Sequence, residues 1–273
     1  MPAASTLLVT LLAMVAFAGN SLLCRAALRH TAIDPASFTA LRLLSGAVAT
    51  GALLGRSRPG GSWGSAVALF AYAAGFSFAY LTLPAGVGTL LLFLAVQATM
   101  VLGGMRRGEG MGLAQGAGLA LALAGLGVLL LPGLSAPPLG GALLMLGAGA
   151  AWGLYSLRGM GSADPGADTA GNFLRALPLV LLLALANLPR LKVDLAGALC
   201  AVLSGALASG LGYVLWYRAL KGLRASAAAS VQLSVPILAS LAGVATLGEP
   251  FTLRLGLASA AILGGIALVL RRP

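Results

Sequence analysis

The sequence is short of charge. Its 273 residues include 17 basic and 6 acidic side chains, so Asp, Glu, Lys and Arg make 8% of the chain against 59% hydrophobic residues. A soluble domain needs about 25% charged residues to coat its surface. This shortage excludes a soluble enzyme, a disordered chain and a conventional nucleic-acid-binding domain, and it leaves an integral membrane protein. Histidine is scarcer still, with His30 alone, which excludes a His-rich metal site. Cys24 and Cys200 both lie in apolar stretches and form no Cys-x-x-Cys pair, so they read as packing residues rather than a disulfide framework. The phosphate-binding signature Gly-x-x-x-x-Gly-Lys-Ser/Thr does not occur, so the chain carries no ATPase site of that type. No cofactor, no metal and no catalytic residue is expected.

The formal charge of +11 does not point to nucleic acid. The arginines and lysines stand singly or in pairs between long apolar runs, which is how membrane topology distributes positive charge. A bilayer core takes about 20 apolar residues per helix. Charges, prolines and glycine clusters cut the chain into ten such segments, near 5–25, 36–55, 63–83, 86–105, 111–131, 139–158, 169–188, 194–215, 224–246 and 252–270. The runs are continuous rather than alternating, which favours helices over a β-barrel. The first segment has no Lys or Arg before it and carries Asn20 and Arg25 at its far end. It reads as a retained helix rather than a secretory signal. The 39 glycines suit helices whose backbones approach closely, as in Gly147–Ala150 and Gly264–Gly265.

With the N-terminus inside, the cytoplasmic ends hold Arg56, Arg58, Arg106, Arg107, Arg158, Arg218, Lys221, Arg224, Arg271 and Arg272. The outer ends hold half as many, namely Arg25, Arg29, Arg190, Lys192 and Arg254. This bias predicts that both termini are cytoplasmic. Fifteen arginines against two lysines, with abundant Ala and Gly, fit a GC-rich bacterial genome and so an inner membrane.

The halves resemble each other. Gly19–Arg25, Asp34-Pro35 and Phe38–Arg42 find counterparts in Gly153–Arg158, Asp164-Pro165 and Asn172–Arg175. Arg25 and Arg158 are 133 positions apart, and so are Arg42 and Arg175. Each half, 1–133 and 134–273, then holds five spans. Five is odd, so the second half enters the membrane from the opposite side, and a cavity is expected between the halves near the midplane.

These elements resemble the drug/metabolite transporter superfamily in its ten-helix form, built of two EamA-type repeats. Phe17-Ala-Gly-Asn20-Ser21 is similar to the Trp-Gly-Ser-Asn-Phe element of the first helix, without the Trp. Asp34-Pro35 followed by Arg42 resembles the entry to the second helix, and Ala151-Trp152-Gly153 with Arg175 repeats the pattern. Leu247-Gly-Glu249-Pro250, after Ser226, Gln232 and Pro236, resembles the ninth helix and its Gly-Glu turn. The resemblance implies an all-α membrane protein of ten transmembrane helices in two inverted repeats. It also implies a central substrate path that opens alternately to the two sides. Members of the superfamily export amino acids and other metabolites, or exchange sugar phosphates and nucleotide sugars.

Polar groups inside a membrane are costly and tend to face a cavity or one another. Arg42 and Arg175 stand about seven residues, roughly 10 Å, into their helices. They either line the path and attract carboxylate or phosphate, or serve structure by bonding carbonyls or snorkelling. The structural role ranks first because both halves carry the Arg. Asn20 and Gln232 either bind substrate or tie helices together. Tyr72, Gln97, Trp152, Tyr155, Tyr213 and Ser234 complete the candidate path, with Trp152 and Tyr155 as an apolar wall. Tyr80, Trp216 and Tyr217 are expected at the membrane interface. Pro178 and Pro236 are hinge candidates or tolerated kinks. Glu109 and Glu249 read as stabilisers of the N-terminus of the helix that follows each, with coupling-ion duty as the alternative. No carboxylate falls mid-span, which argues against proton exchange on a buried Glu.

The leading expectation is a secondary exporter of small polar metabolites, amino acids foremost, with a small-molecule substrate and the lipid bilayer as its partners. Cation or multidrug efflux would want an acidic pocket, and none is found. A non-transporting membrane scaffold or a lipid flippase subunit is a further alternative, since fold does not settle substrate. An intramembrane enzyme would need a nucleophile with a base, or a metal cluster.

Overall fold

The computed structural model describes residues 3–55, 58–105, 112–130, 136–160, 162–220 and 231–270. The loops with Arg106, Arg107 and Glu109 and with Lys221, Arg224 and Ser226, and the ends at Arg56 and at Arg271 and Arg272, lie outside them. The described residues contain helices and no strand. In chain order they are α1 (Ala3–His30), α2 (Pro35–Leu54), α3 (Trp63–Ala79), α4 (Ala85–Met105) and α5 (Leu113–Leu130), then α6 (Leu139–Gly159) and α7 (Pro165–Ala186). α8 runs through Leu195–Leu203, a π-helical stretch Ser204–Leu211 and Gly212–Leu220; α9 (Ser234–Leu247) and α10 (Leu253–Leu270) follow. Among the described residues six helices are long and apolar enough to cross a bilayer, and four more are apolar but shorter. This is a multi-pass membrane protein.

The two Asp-Pro pairs seen in the sequence open equivalent helices. Asp34 caps α2 by accepting from the Ala36 and Ser37 amides, and Asp164 caps α7 by accepting from Gly166 and Ala167. In each case Pro occupies the first helical position, where its missing N–H costs nothing. The two starts lie at opposite ends of the bundle. Asp34 meets the loop before α8, with its N–H on the Lys192 carbonyl at 3.1 Å and the Lys192 N–H on Asp34 Oδ2 at 2.7 Å. The start of α7 meets the loop after α2, where the Gly60 N–H donates to Ala167 O at 2.9 Å and the Gly61 N–H to Asp168 Oδ1 at 2.7 Å.

Packing follows the same pseudo-twofold relation. α2 packs on α7 and α5 on α10; α3 against α6 is mirrored by α8 against α1, and α4 against α6 by α9 against α1. The chain is therefore two inverted five-helix units. Small residues make the closest crossings. A Cβ on Gly265 of α10 would stand 2.5 Å from the Gly118 carbonyl of α5, closer than any side chain tolerates. Outer faces carry exposed leucines such as Leu7, Leu11, Leu181, Leu182 and Leu241, which lipid covers.

Four expectations change. α1 continues past Arg25 to His30, because Arg25 is not at the lipid boundary but folded inward onto Glu249. Tyr80, Trp216 and Tyr217 do not form an interface belt: all three are buried. Tyr80 sets its ring edge-on to Phe76 at 4.7 Å and donates to Ala85 O, Trp216 packs on Phe17, and the Tyr217 hydroxyl donates to Tyr155 O. Pro236 is not mid-helix but in the first turn of α9, just after an interruption at Leu233. A proline there gives up no intrahelical bond within α9. Glu249 stabilises α4, not the helix that follows it, through a 2.8 Å bond from the Ala85 N–H to Oε2.

Candidate functional site

Midway through the bundle, α1, α2, α3, α6 and α8 converge on Arg42. Its side chain has no exposure to the outside. Nε donates to Ser209 Oγ at 3.1 Å, and Nη2 donates to the hydroxyls of Tyr72 at 3.1 Å and Tyr213 at 3.0 Å. The guanidinium carbon lies 5.0 Å from the centre of the Tyr72 ring and 4.9 Å from that of Phe76. Among the described residues Nη1 has no hydrogen-bond partner. Asn20 joins from α1: its amide donates to the Tyr72 hydroxyl at 3.1 Å, and its carbonyl accepts from Ser204.

Local structure explains how the arginine reaches these hydroxyls. The π-helical stretch of α8 contains Ser204, Gly205, Ser209 and Gly210, and π-turns widen a helix where function often sits. A Cβ on Gly205 would fall on the Arg42 carbonyl and the Ser45 hydroxyl, so only glycine lets α8 lie this close to α2. The serines then face Arg42 and Asn20.

Aromatic rings wall the cluster. Trp152 lies 4.6 Å from Tyr213, 5.0 Å from Tyr72, 5.5 Å from Tyr155 and 5.6 Å from Phe17 between ring centres. Phe173 stacks on Tyr213 at 6.0 Å. A cleft of about 460 Å³ opens between α2, α7 and α8, lined by Thr50, Leu54, Asp164, Leu211, Val214 and Arg218. Thr50 is two turns along α2 from Arg42, about 12 Å.

The structure thus gathers Asn20, Arg42, Tyr72, Trp152, Tyr155 and Tyr213 and leaves the other candidates elsewhere. Arg175 is half-buried midway along α7, and its Nη1 reaches back to donate to the carbonyls of Gly60 and Gly171. Gln97 is buried on α4. Gln232 is buried just before α9, and neither amide atom has a partner among the described residues. Ser234 is half-buried and donates back to Val231 O. Pro178 sits on an exposed face of α7, which passes through it unbroken, and Pro236 is buried in the first turn of α9.

A second buried arrangement closes the end of the bundle where α1 finishes. Arg25 Nε is 3.1 Å from Glu249 Oε1, and its Nη1 donates to the Tyr80 carbonyl at 2.8 Å. Gly248 makes the required turn after α9 with φ of +61°, a conformation glycine adopts freely. Sequence reasoning missed this pair, as it missed Ser204, Ser209 and the three Phe rings.

The model of the EamA-like transporter family matches residues 139–271. An uncharacterized protein of Pseudomonas aeruginosa is 62% identical over 275 residues, covering 99% of this chain and 96% of its own length. The chain belongs to the EamA-like transporter family. A solved crystal structure of a protein at 23% identity superposes with a TM-score of 0.69 over 96% of this chain and 97% of its own, and so shares the ten-helix fold. Family and fold together make the chain a membrane transporter of the drug/metabolite type. The Arg42 cluster is the buried polar centre of this EamA-type fold.

Proposed function

We propose that the protein is a secondary exporter of small polar metabolites such as amino acids, working by alternating access in a bacterial inner membrane with both termini in the cytoplasm. The units that rock against each other are 1–133 and 134–273. The observation that carries this reading is the cluster itself. Asn20, Arg42 and Tyr72 come from the first unit, and Trp152, Ser204, Ser209 and Tyr213 from the second. Polar groups are placed at such depth at a cost, and their usual use is a solute path. A path shared by two inverted units is opened to either side by their relative motion. The excess of Arg and Lys at the ends assigned to the cytoplasm supports the orientation. Loops of the two units are hydrogen-bonded to each other at both ends, Asp34 with Lys192 on one side and Asp168 with Gly61 on the other.

The test is counterflow in proteoliposomes without nucleotide, using a panel of labelled amino acids and organic acids. The reading expects exchange of at least one solute by the wild type. It expects Asn20→Ala to lose most of that flux while inserting and eluting as a folded protein. Wild-type flux in a folded Asn20→Ala variant would remove that residue from the path, and failure to exchange any solute would remove the transport reading.

A further inference from the structure

Among the described residues, Arg42 is a cation without a counter-ion. Its hydrogen-bond partners are the neutral hydroxyls of Ser209, Tyr72 and Tyr213, and Nη1 has none. The other arginines within the bundle are compensated: Arg25 pairs with Glu249, and Arg175 lies half-buried on two carbonyls. The carboxylates among the described residues, Asp34, Asp164, Asp168, Asp194 and Glu249, stand at helix ends or in the loops beside them. Guanidinium does not deprotonate in a protein. A buried charge with no counter-ion is costly, and within a membrane such charges mark solute or ion paths.

We infer that the Arg42 cluster is an anion site whose ligand supplies the missing negative charge, so that the transported solutes are net monoanions such as organic monocarboxylates and acidic amino acids. The donor inventory agrees. Ser209, Tyr72 and Tyr213 each spend a lone pair on Arg42, Tyr72 and Tyr213 also bond each other, and Nη1 keeps two N–H donors to give. A carboxylate accepts only, and it fits such a set. The charge balance distinguishes members of one chemical class. A monoanion brings the buried site to zero, a zwitterion leaves it at plus one, and an amine raises it to plus two. The rings of Phe17, Trp152, Tyr155 and Tyr213 would cover the apolar body of the solute. The inference rests on the transport reading only for the route by which a ligand reaches a closed site.

The test uses three small molecules with one branched carbon chain and different charge: 4-methylpentanoate, leucine and 3-methylbutylamine. Ligand-dependent thermal stabilisation of the purified full-length protein is measured at constant ionic strength. The acid is expected to bind at least about tenfold tighter than the amine, with leucine between them, and that preference is expected to vanish in Arg42→Gln. Arg42→Lys keeps the charge and is expected to keep part of it, which guards against misfolding of the neutral variant. Equal stabilisation by all three, equal stabilisation of Arg42→Gln by the acid, or no stabilisation by the acid at millimolar concentration overturns the inference. Counterflow of 4-methylpentanoate that ignores Arg42→Gln would leave transport standing and remove the anion site. Acid binding without exchange of any solute would do the reverse.

Discussion

Replacing Glu249 with Gln is expected to uncouple three parts of the bundle at once. The carboxylate holds Arg25 of α1 at 3.1 Å and the Ala85 N–H that opens α4 at 2.8 Å, from its place in the turn after α9. Both partners of the ion pair are close to fully buried, with side-chain exposures of 11% and 4%. At that separation and an effective dielectric constant of about 20, the attraction is about 5 kcal/mol. Gln keeps the shape and can still accept from Ala85, so the loss is the charge. Removing one partner of a buried pair costs about 3–5 kcal/mol, because the other charge stays buried and unpaired. Arg25→Met alone should also destabilise, by stranding the Glu249 carboxylate. The double variant should cost less than the sum of the two by at least about 1.5 kcal/mol, since it strands neither charge. Equilibrium unfolding in mixed micelles gives all four free energies of the cycle. Single-variant costs that add to within about 0.5 kcal/mol would refute the reasoning, because independent sites add in that way.

Three further outcomes are expected. Gly205→Val should destabilise by about 1–3 kcal/mol or more, because its Cβ meets the Arg42 carbonyl, whereas Gly264→Ala, with open space at the same point, should be tolerated in the same melt. Arg175→Ala should loosen the loop after α2 and cost about 1–3 kcal/mol, with the apparent KM of any transported solute unchanged. Partial burial raises the Asp34 carboxyl, but hydrogen bonds from Ser37 and from the Lys192 and Ala36 amides outweigh it and hold the group below the ordinary carboxylate value. Its contribution is therefore full above about pH 4, the unfolded value, and lost as pH falls through the lower folded value. Melting temperature measured against pH should fall less steeply in that acid range for Asp34→Asn.

The fold was legible because lipid imposes a coarse code. Ten apolar runs, two Asp-Pro caps and a common offset between arginine pairs mark the helices and the repeat, and α2 and α7 do begin at opposite ends. Half the cluster was legible too, since Asn20, Arg42, Tyr72, Trp152 and Tyr213 are conspicuous in spans that have little else polar. What the sequence withholds is rotation. In lipid both faces of a helix are apolar, so hydropathy does not say which face is inside. For that reason Tyr80 and Trp216 looked like interface aromatics although both are buried. Ser204 and Ser209 point into the site only because α8 takes a π register there, and no apolar periodicity marks such a turn. The Arg25–Glu249 pair spans 224 positions, and neither residue shows the other in its local pattern.

The central claim is that the Arg42 cluster lies on a path open by turns to each side of the membrane. It is tested most directly by a cysteine at position 204, introduced as Ser204→Cys with Cys24 and Cys200 replaced by Ala. Right-side-out and inside-out vesicles are treated with a membrane-impermeant thiol reagent while the transported solute is varied. The account predicts labelling from both sides in a transport-competent protein, slowed by solute. Labelling from one side only, or from neither, would contradict it.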